Sequence, residues 1–222
     1  MNKVVLCRTS HMRFLVGILW MLNFTVVLAQ TEAESPEVVV ERSSADLMSL
    51  IRDSEGYIKT DQERLFREVE ALLSPVVDFE AFSRGVMAVH YKKASQEQRE
   101  RFQSAFKWGL VRTYTLALAE FSEGVLLLVP TSRPQNNPRY RNVKMSIRTK
   151  AGDLYPITYV MRLGRDQVWR LANLIVNGVN IGLTYRSQFS NALQKSEYAG
   201  DLDLLINDWS EVIGRDKMEI QN

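Results

Sequence analysis

The sequence predicts an α+β fold in which an antiparallel curved sheet of about four strands packs against several helices, and three observations predict it. Apolar residues recur at helical spacing, behind capping residues, up to about Ser122. From Gly124 to Val176 the period shortens to two, with turn residues between the runs. After Tyr185 the helical spacing returns and continues to Ile213.

The chain opens with Lys3, Arg8 and Arg13 ahead of an apolar run from Phe14 to Leu28, which closes at Val27-Leu28-Ala29 before Gln30. A basic start, an apolar centre and a small residue at the cut are the pattern of a cleaved secretory signal over residues 1–29. The competing reading is a membrane anchor, since the run is close to the shortest that spans a bilayer. Cys7 is the single cysteine and falls inside this segment. An exported domain without disulfides is held by its apolar core alone. Without the three leader cations the rest of the chain is near neutral, which argues against a nucleic-acid binder.

Gln30 to Glu41 is acidic, contains Pro36 and reads as a disordered lead-in over residues 30–41. One domain follows over residues 42–214, with a flexible tail over 215–222. Its first helix is expected from Ser43 or Ser44, carrying Leu47, Leu50 and Ile51 on one side. A Thr60/Glu63 capping box opens the second, with Leu65, Phe66, Val69, Leu72 and Leu73 in register and Ser74-Pro75 as the stop. Asp78 is placed to cap a short helix through Phe79, Phe82 and Val86.

Ser95 and Gln98 form a capping box for the longest helix, which ends before Gly124. At about 100° per residue Phe102, Phe106, Leu110, Val111, Tyr114, Leu118 and Phe121 cover about half its circumference. That width suits a helix embraced from two sides, or one facing an interior that side chains only partly fill.

The strands follow. Val125 to Val129 is an apolar run stopped by Pro130, and Arg133 to Arg139 is a proline-containing loop. Val143, Met145 and Ile147 alternate with polar residues, Ala151-Gly152-Asp153 turns, and Tyr155, Ile157, Tyr159, Met161 and Leu163 share the next face. Gly164-Arg165-Asp166 turns again before Trp169, Leu171, Leu174 and Val176, whose phase slips near Asn173 as at a bulge. Tyr185, Phe189 and Leu193 then mark one helix, and Leu202, Leu205, Ile206, Trp209, Val212 and Ile213 the last.

Catalytic chemistry is sparse. His11 lies in the leader, so His90 is the one histidine of the domain, and no orienting acid accompanies it in the sequence. No zinc-ligand spacing, phosphate-cradling glycine loop or nucleophile elbow occurs, and Asp201 and Asp203 suit helix capping. The chain is therefore read as a non-enzyme without cofactor or metal.

Three groups of residues stand out together: Asp78 through Met87, the Phe102 to Phe121 helix with Thr113-Tyr114, and Trp169-Arg170-Leu171 leading to Asn177-Gly178-Val179-Asn180-Ile181 and Tyr185-Arg186-Ser187-Gln188-Phe189. In order and spacing they resemble the MlaC family, the periplasmic phospholipid carriers of the Mla pathway, also described as toluene-tolerance auxiliary proteins. The chain departs from the family pattern at Asn177, where an acid is common, and at Asn180, where a serine is common.

The resemblance implies a nuclear-transport-factor-like fold around an apolar cavity. It implies a periplasmic protein that shields phospholipid tails and shuttles lipid to maintain outer-membrane asymmetry. Its implied partners are phospholipid, an outer-membrane lipoprotein and porin complex, and an inner-membrane ABC transporter complex with an MCE subunit. The residues expected to line the cavity are Phe102, Phe106, Leu110, Tyr114, Met145, Ile147, Tyr159, Met161 and Leu174.

Two other readings stay open. One is an enzyme of the same fold acting on a hydrophobic substrate, with Tyr114, Tyr155 or Tyr159 as its titratable group. The other is a cargo-free envelope adaptor contacting its partners through Arg133, Arg139 and Arg141.

Overall fold

The computed structural model describes residues 34–119, 121–130 and 137–215, with residues 210–215 described by their backbone alone. The leader and the tail from 216 onward lie outside the described residues. Helices α1 (Pro36–Asp53), α2 (Gln62–Leu73), α3 (Phe79–Met87) and α4 (Gln96–Ala119) come first. Strands β1 (Val125–Val129), β2 (Tyr140–Arg148), β3 (Leu154–Leu163), β4 (Trp169–Val176) and β5 (Val179–Asn180) follow, then α5 (Ile181–Leu193) and α6 (Leu202–Arg215). The sheet is an antiparallel meander in the order β1-β2-β3-β4-β5.

Two boundaries differ from the sequence reading. The disordered lead-in expected over residues 30–41 is helical from Pro36, because Ser35 caps α1 by accepting from the Val38 N–H at 3.3 Å and proline fits the first helical position. Val39 and Val40 are 4% and 1% exposed, so burial on the sheet holds this first turn. Asp61, rather than Thr60, caps α2, accepting from the Arg64 N–H at 3.0 Å. The other caps form as read: Asp78 accepts from Ala81 at 2.9 Å, and Ser95 and Gln98 bond reciprocally at 3.1 and 2.9 Å.

The sheet gains a fifth strand beyond the four expected. Asn177 and Gly178 both have positive φ, at 48° and 83°, the geometry of a two-residue hairpin turn that returns Val179 and Asn180 to pair with β4. Asn177 tolerates that backbone where a branched residue would not, and Asn180 then caps α5 by accepting from the Leu183 N–H at 3.0 Å. Serine is also a good cap, so the departure at Asn180 keeps the function of the position.

The expected bulge is present. Val160 pairs with Asn173 and Met161 with Leu171, which leaves Ala172 as the extra residue. One face of the sheet carries Val143, Met145, Ile147, Ile157 and Met161 inward, all at most 7% exposed, while the alternate residues of β2 face outward.

Three apolar clusters hold the domain. The largest joins α3, α4, α5 and α6 through Phe82, Val86, Phe102, Phe106, Tyr185, Phe189, Leu205 and Trp209. A second clamps α1 on the sheet through Val39, Val40, Val143, Met145, Met161 and Trp169. A third sets Val111 of α4 against Leu65, Phe66 and Val69 of α2. The broad apolar arc of α4 is thus explained by neighbours on two sides.

Candidate functional site

The nine residues expected to line one cavity fall into two sets. Phe102 and Phe106 are 0% exposed, with stacked rings 5.8 Å apart. Phe189 and Trp209 stand edge-on or tilted to Phe102 at 4.9 and 5.2 Å, and Phe82 and Tyr185 meet Phe106 at 5.2 and 5.4 Å. Met145 and Met161 are packed against α1, and Ile147 closes on Gly124 so tightly that a Cβ there would stand 2.7 Å from Ile147 Cγ2. Met145, Ile147 and Met161 are 3%, 5% and 1% exposed, so all five side chains are buried.

Leu110, Tyr114, Tyr159 and Leu174 are different, for each keeps accessible surface while packed at the edge of a cluster. Leu118 and Phe121 continue the line of Leu110 and Tyr114 along α4 at one-turn intervals and are likewise half-buried. Across from them Tyr155 meets the Phe121 ring at 5.2 Å, and Val176 follows Leu174 on the same face of β4. The bulge marks a division of the sheet. Trp169 and Leu171 before Ala172 join the α1 cluster, whereas Leu174 and Val176 after it join the helical cluster.

Between the second half of α4 and the far part of β3 and β4 lies, therefore, a seam of large apolar side chains left partly uncovered. Periodicity alone finds these positions but does not tell a filled stripe from an unfilled one. The informative signal was the continuation of the α4 arc through Leu118 and Phe121 past the aromatic core.

Polar groups at the seam are phenols. The Tyr185 hydroxyl donates to the Tyr114 oxygen at 3.3 Å, and the Ser44 hydroxyl donates to the Tyr159 oxygen at 3.1 Å. Burial raises both the Tyr114 and Tyr159 pKa above the ordinary phenol value of 10.0, the hydrogen bonds opposing it in part. Both rings are neutral near pH 7 and make poor general bases, which weakens the enzyme reading.

His90 packs its ring 5.9 Å from Phe189. Among the described residues no group of three or more His, Cys, Asp and Glu is placed to hold a metal, and no helix is long and apolar enough to cross a membrane.

A separate cleft of about 790 Å³ opens beside the start of α3, lined by Asp78, Glu80, Arg84, Lys107, Arg162 and Arg170 among others. Four of its cations are already matched, Arg84 to Glu80 at 3.0 Å, Arg170 to Asp166 at 2.8 Å, Arg162 to Asp78 and Lys107 to Glu70, and Arg165 at its rim is exposed. It offers hydrocarbon nothing. Of the arginines of the adaptor reading, Arg133 lies outside the described residues, and Arg139 is exposed. Arg141 is tied to its own strand by 3.0 Å bonds to the Asn137 and Tyr140 carbonyls.

Comparison with known proteins converges on one family. The profile described as MlaC protein matches residues 41–211. The toluene tolerance protein ttg2D of Pseudomonas putida is 30% identical over 197 residues, 88% of this chain and 89% of that protein. The intermembrane phospholipid transport system binding protein MlaC of Haemophilus influenzae is 26% identical over 161 residues, 71% of this chain and 74% of that protein. The solved structure of a phospholipid-binding protein from Ralstonia solanacearum, in complex with a phospholipid, has the same fold. It superposes with a TM-score of 0.72 at 20% identity, covering 82% of this chain and 98% of that one.

Proposed function

The chain belongs to the MlaC protein family, and on that premise we propose that it is a phospholipid carrier whose acyl chains enter the seam between the second half of α4 and the sheet. The observation that carries the reading is the run of half-buried Leu110, Tyr114, Leu174 and Val176 at the edge of the helical cluster, continued along α4 by Leu118. Each methylene kept from water is worth roughly 0.8 kcal/mol, so a two-tailed lipid of ~30 methylenes faces over ~20 kcal/mol on leaving a bilayer for water. A dry apolar enclosure removes most of that cost and needs neither a catalytic group nor a metal. Neutral phenols suit such a lining, since ring and hydroxyl let it meet both tail and glycerol region.

In this reading the leader exports the chain to the periplasm. There it moves lipid between an outer-membrane lipoprotein and porin complex and an inner-membrane ABC transporter complex with an MCE subunit, preserving outer-membrane asymmetry. Protein purified as the cell exports it is expected to yield phospholipid on solvent extraction and mass spectrometry. Leu174→Glu and Leu110→Glu are expected to lose that lipid while keeping the far-ultraviolet circular dichroism of the parent, because an unpaired charge in an apolar enclosure is costly. A parent protein that arrives empty and takes no lipid from vesicles sinks the proposal.

A further inference from the structure

The other face of the sheet carries its own pattern. Cross-strand register aligns three rows across β1, β2 and β3: Val125 with Arg148 and Leu154, Leu127 with Ser146 and Pro156, and Val129 with Lys144 and Thr158. Val125, Val129 and Leu154 are 56%, 39% and 60% exposed, and Lys144 and Arg148 are exposed between them. No carboxylate stands in any row. Glu123 in the adjoining turn is taken by Lys150 at 2.5 Å, and the carboxylates Asp78 and Asp166 are taken by Arg162 and Arg170. Asp153 lies in the turn before Leu154. Among the described residues Lys144 and Arg148 have no ion-pair partner.

An edge strand of sequence Val-Leu-Leu-Leu-Val is an association hazard unless something covers it. We infer that the outer face of β1, β2 and β3 seats the protein on an anionic lipid surface. The two unmatched cations select an anionic occupant and supply long stems that lie along the apolar rows with their charges toward headgroups. A second copy is a poor occupant, because an isologous contact sets Lys144 and Arg148 near their own equivalents. An acidic protein is less suited, since the three rows hold aliphatic side chains, and Tyr140 of the same β2 face stands two outward positions beyond Lys144. Docking of this kind goes beyond the carrier reading and does not rest on it, since a chain without cargo still presents the face.

The test is co-sedimentation of the chain, as the cell processes it, with vesicles of phosphatidylcholine alone and of an equal mixture with phosphatidylglycerol, at low and high salt. Binding is expected to favour the anionic vesicles and to weaken with salt. Lys144→Gln/Arg148→Gln is expected to lower it about thirtyfold at low salt. Lys59→Gln/Lys195→Gln, the same charge change on exposed positions in the turns before α2 and after α5, is expected to leave it unchanged. Leu127→Ser, checked for an unaltered melting curve, is expected to lower binding at both salt concentrations.

Equal binding to the two vesicle types, or an equal loss in the Lys59/Lys195 control, overturns the inference. So does self-association or capture of an acidic protein that disappears in the Lys144/Arg148 variant while vesicle binding persists. Lipid extracted from the same variants is expected to match the parent, which separates failure of docking from failure of the carrier reading.

Discussion

Phe106 and Leu110 stand one turn apart on α4, and the helix uses them in opposite ways. Phe106 is sealed among Phe82, Phe102 and Tyr185, every ring at most 5% exposed, while Leu110 and Tyr114 keep surface open toward the sheet. Three helices, α3, α5 and α6, crowd the first half of α4; on the second half Val111 packs on α2 while Leu110, Tyr114 and Leu118 form the seam. One helix thus serves both a sealed aromatic core and a partly open apolar surface.

The sharpest way to break that contrast is to truncate both residues. Phe106→Ala is expected to cost about 3–5 kcal/mol in denaturant unfolding, as full burial predicts, and Leu110→Ala about 1–2 kcal/mol because part of its surface stays accessible. Similar losses at the two sites would mean that the seam is ordinary core. Met161→Glu, at 1% exposure in the α1 cluster, is expected to unfold the protein and so says nothing of cargo, whereas Leu174→Glu tests cargo alone.

Next in size is Asp78, which caps α3 and accepts from Arg162 on β3, tying the helical layer to the sheet. Asp78→Ala is expected to cost about 1–2 kcal/mol for the cap, with the Arg162 contact in addition. Asp78→Asn, which preserves the cap, isolates the second part.

The smallest effect is the dependence on pH. Tyr114 and Tyr159 have folded pKa values raised above 10.0, so the unfolded chain releases these protons first as pH rises. Their contribution is intact below pH 10 and is lost as pH climbs through the folded values. Unfolding midpoints measured upward from pH 9 are expected to fall less steeply in Tyr114→Phe/Tyr159→Phe than in the parent; parallel curves would place these phenols in water.

Much of the architecture was legible in local chemistry. The Ser95/Gln98 box, the Asp78 cap, the strand alternation and the bulge are short-range features, and each forms as the residues dictate. The start of α1 was not, because Pro36 is both a breaker and a favoured first residue, and only burial of Val39 and Val40 on the sheet decides between them. The short β5 was hidden for a similar reason: two residues carry no periodicity, and the Asn177-Gly178 turn alone announces it. The candidate lining is what a sequence leaves most open. Apolar stripes name the residues that leave water, but whether Phe102 or Leu110 meets protein or empty space depends on what stands opposite, and that is a property of the assembled layers.

Ala172 turns out to govern the chemistry of the seam by arithmetic alone. Strand residues point alternately up and down, so the one supernumerary residue advances the phase of everything after it, and Leu174 and Val176 face the helices on that account. With Ala172 kept and the strand regular, unbroken alternation from Trp169 and Leu171 would turn Asn173 and Ile175 inward instead, placing an amide in an apolar wall. A single-codon deletion of Ala172, by contrast, leaves Asn173 opposite Val160 and Leu174 opposite Tyr159, so it straightens the strand and keeps the same side chains on the wall.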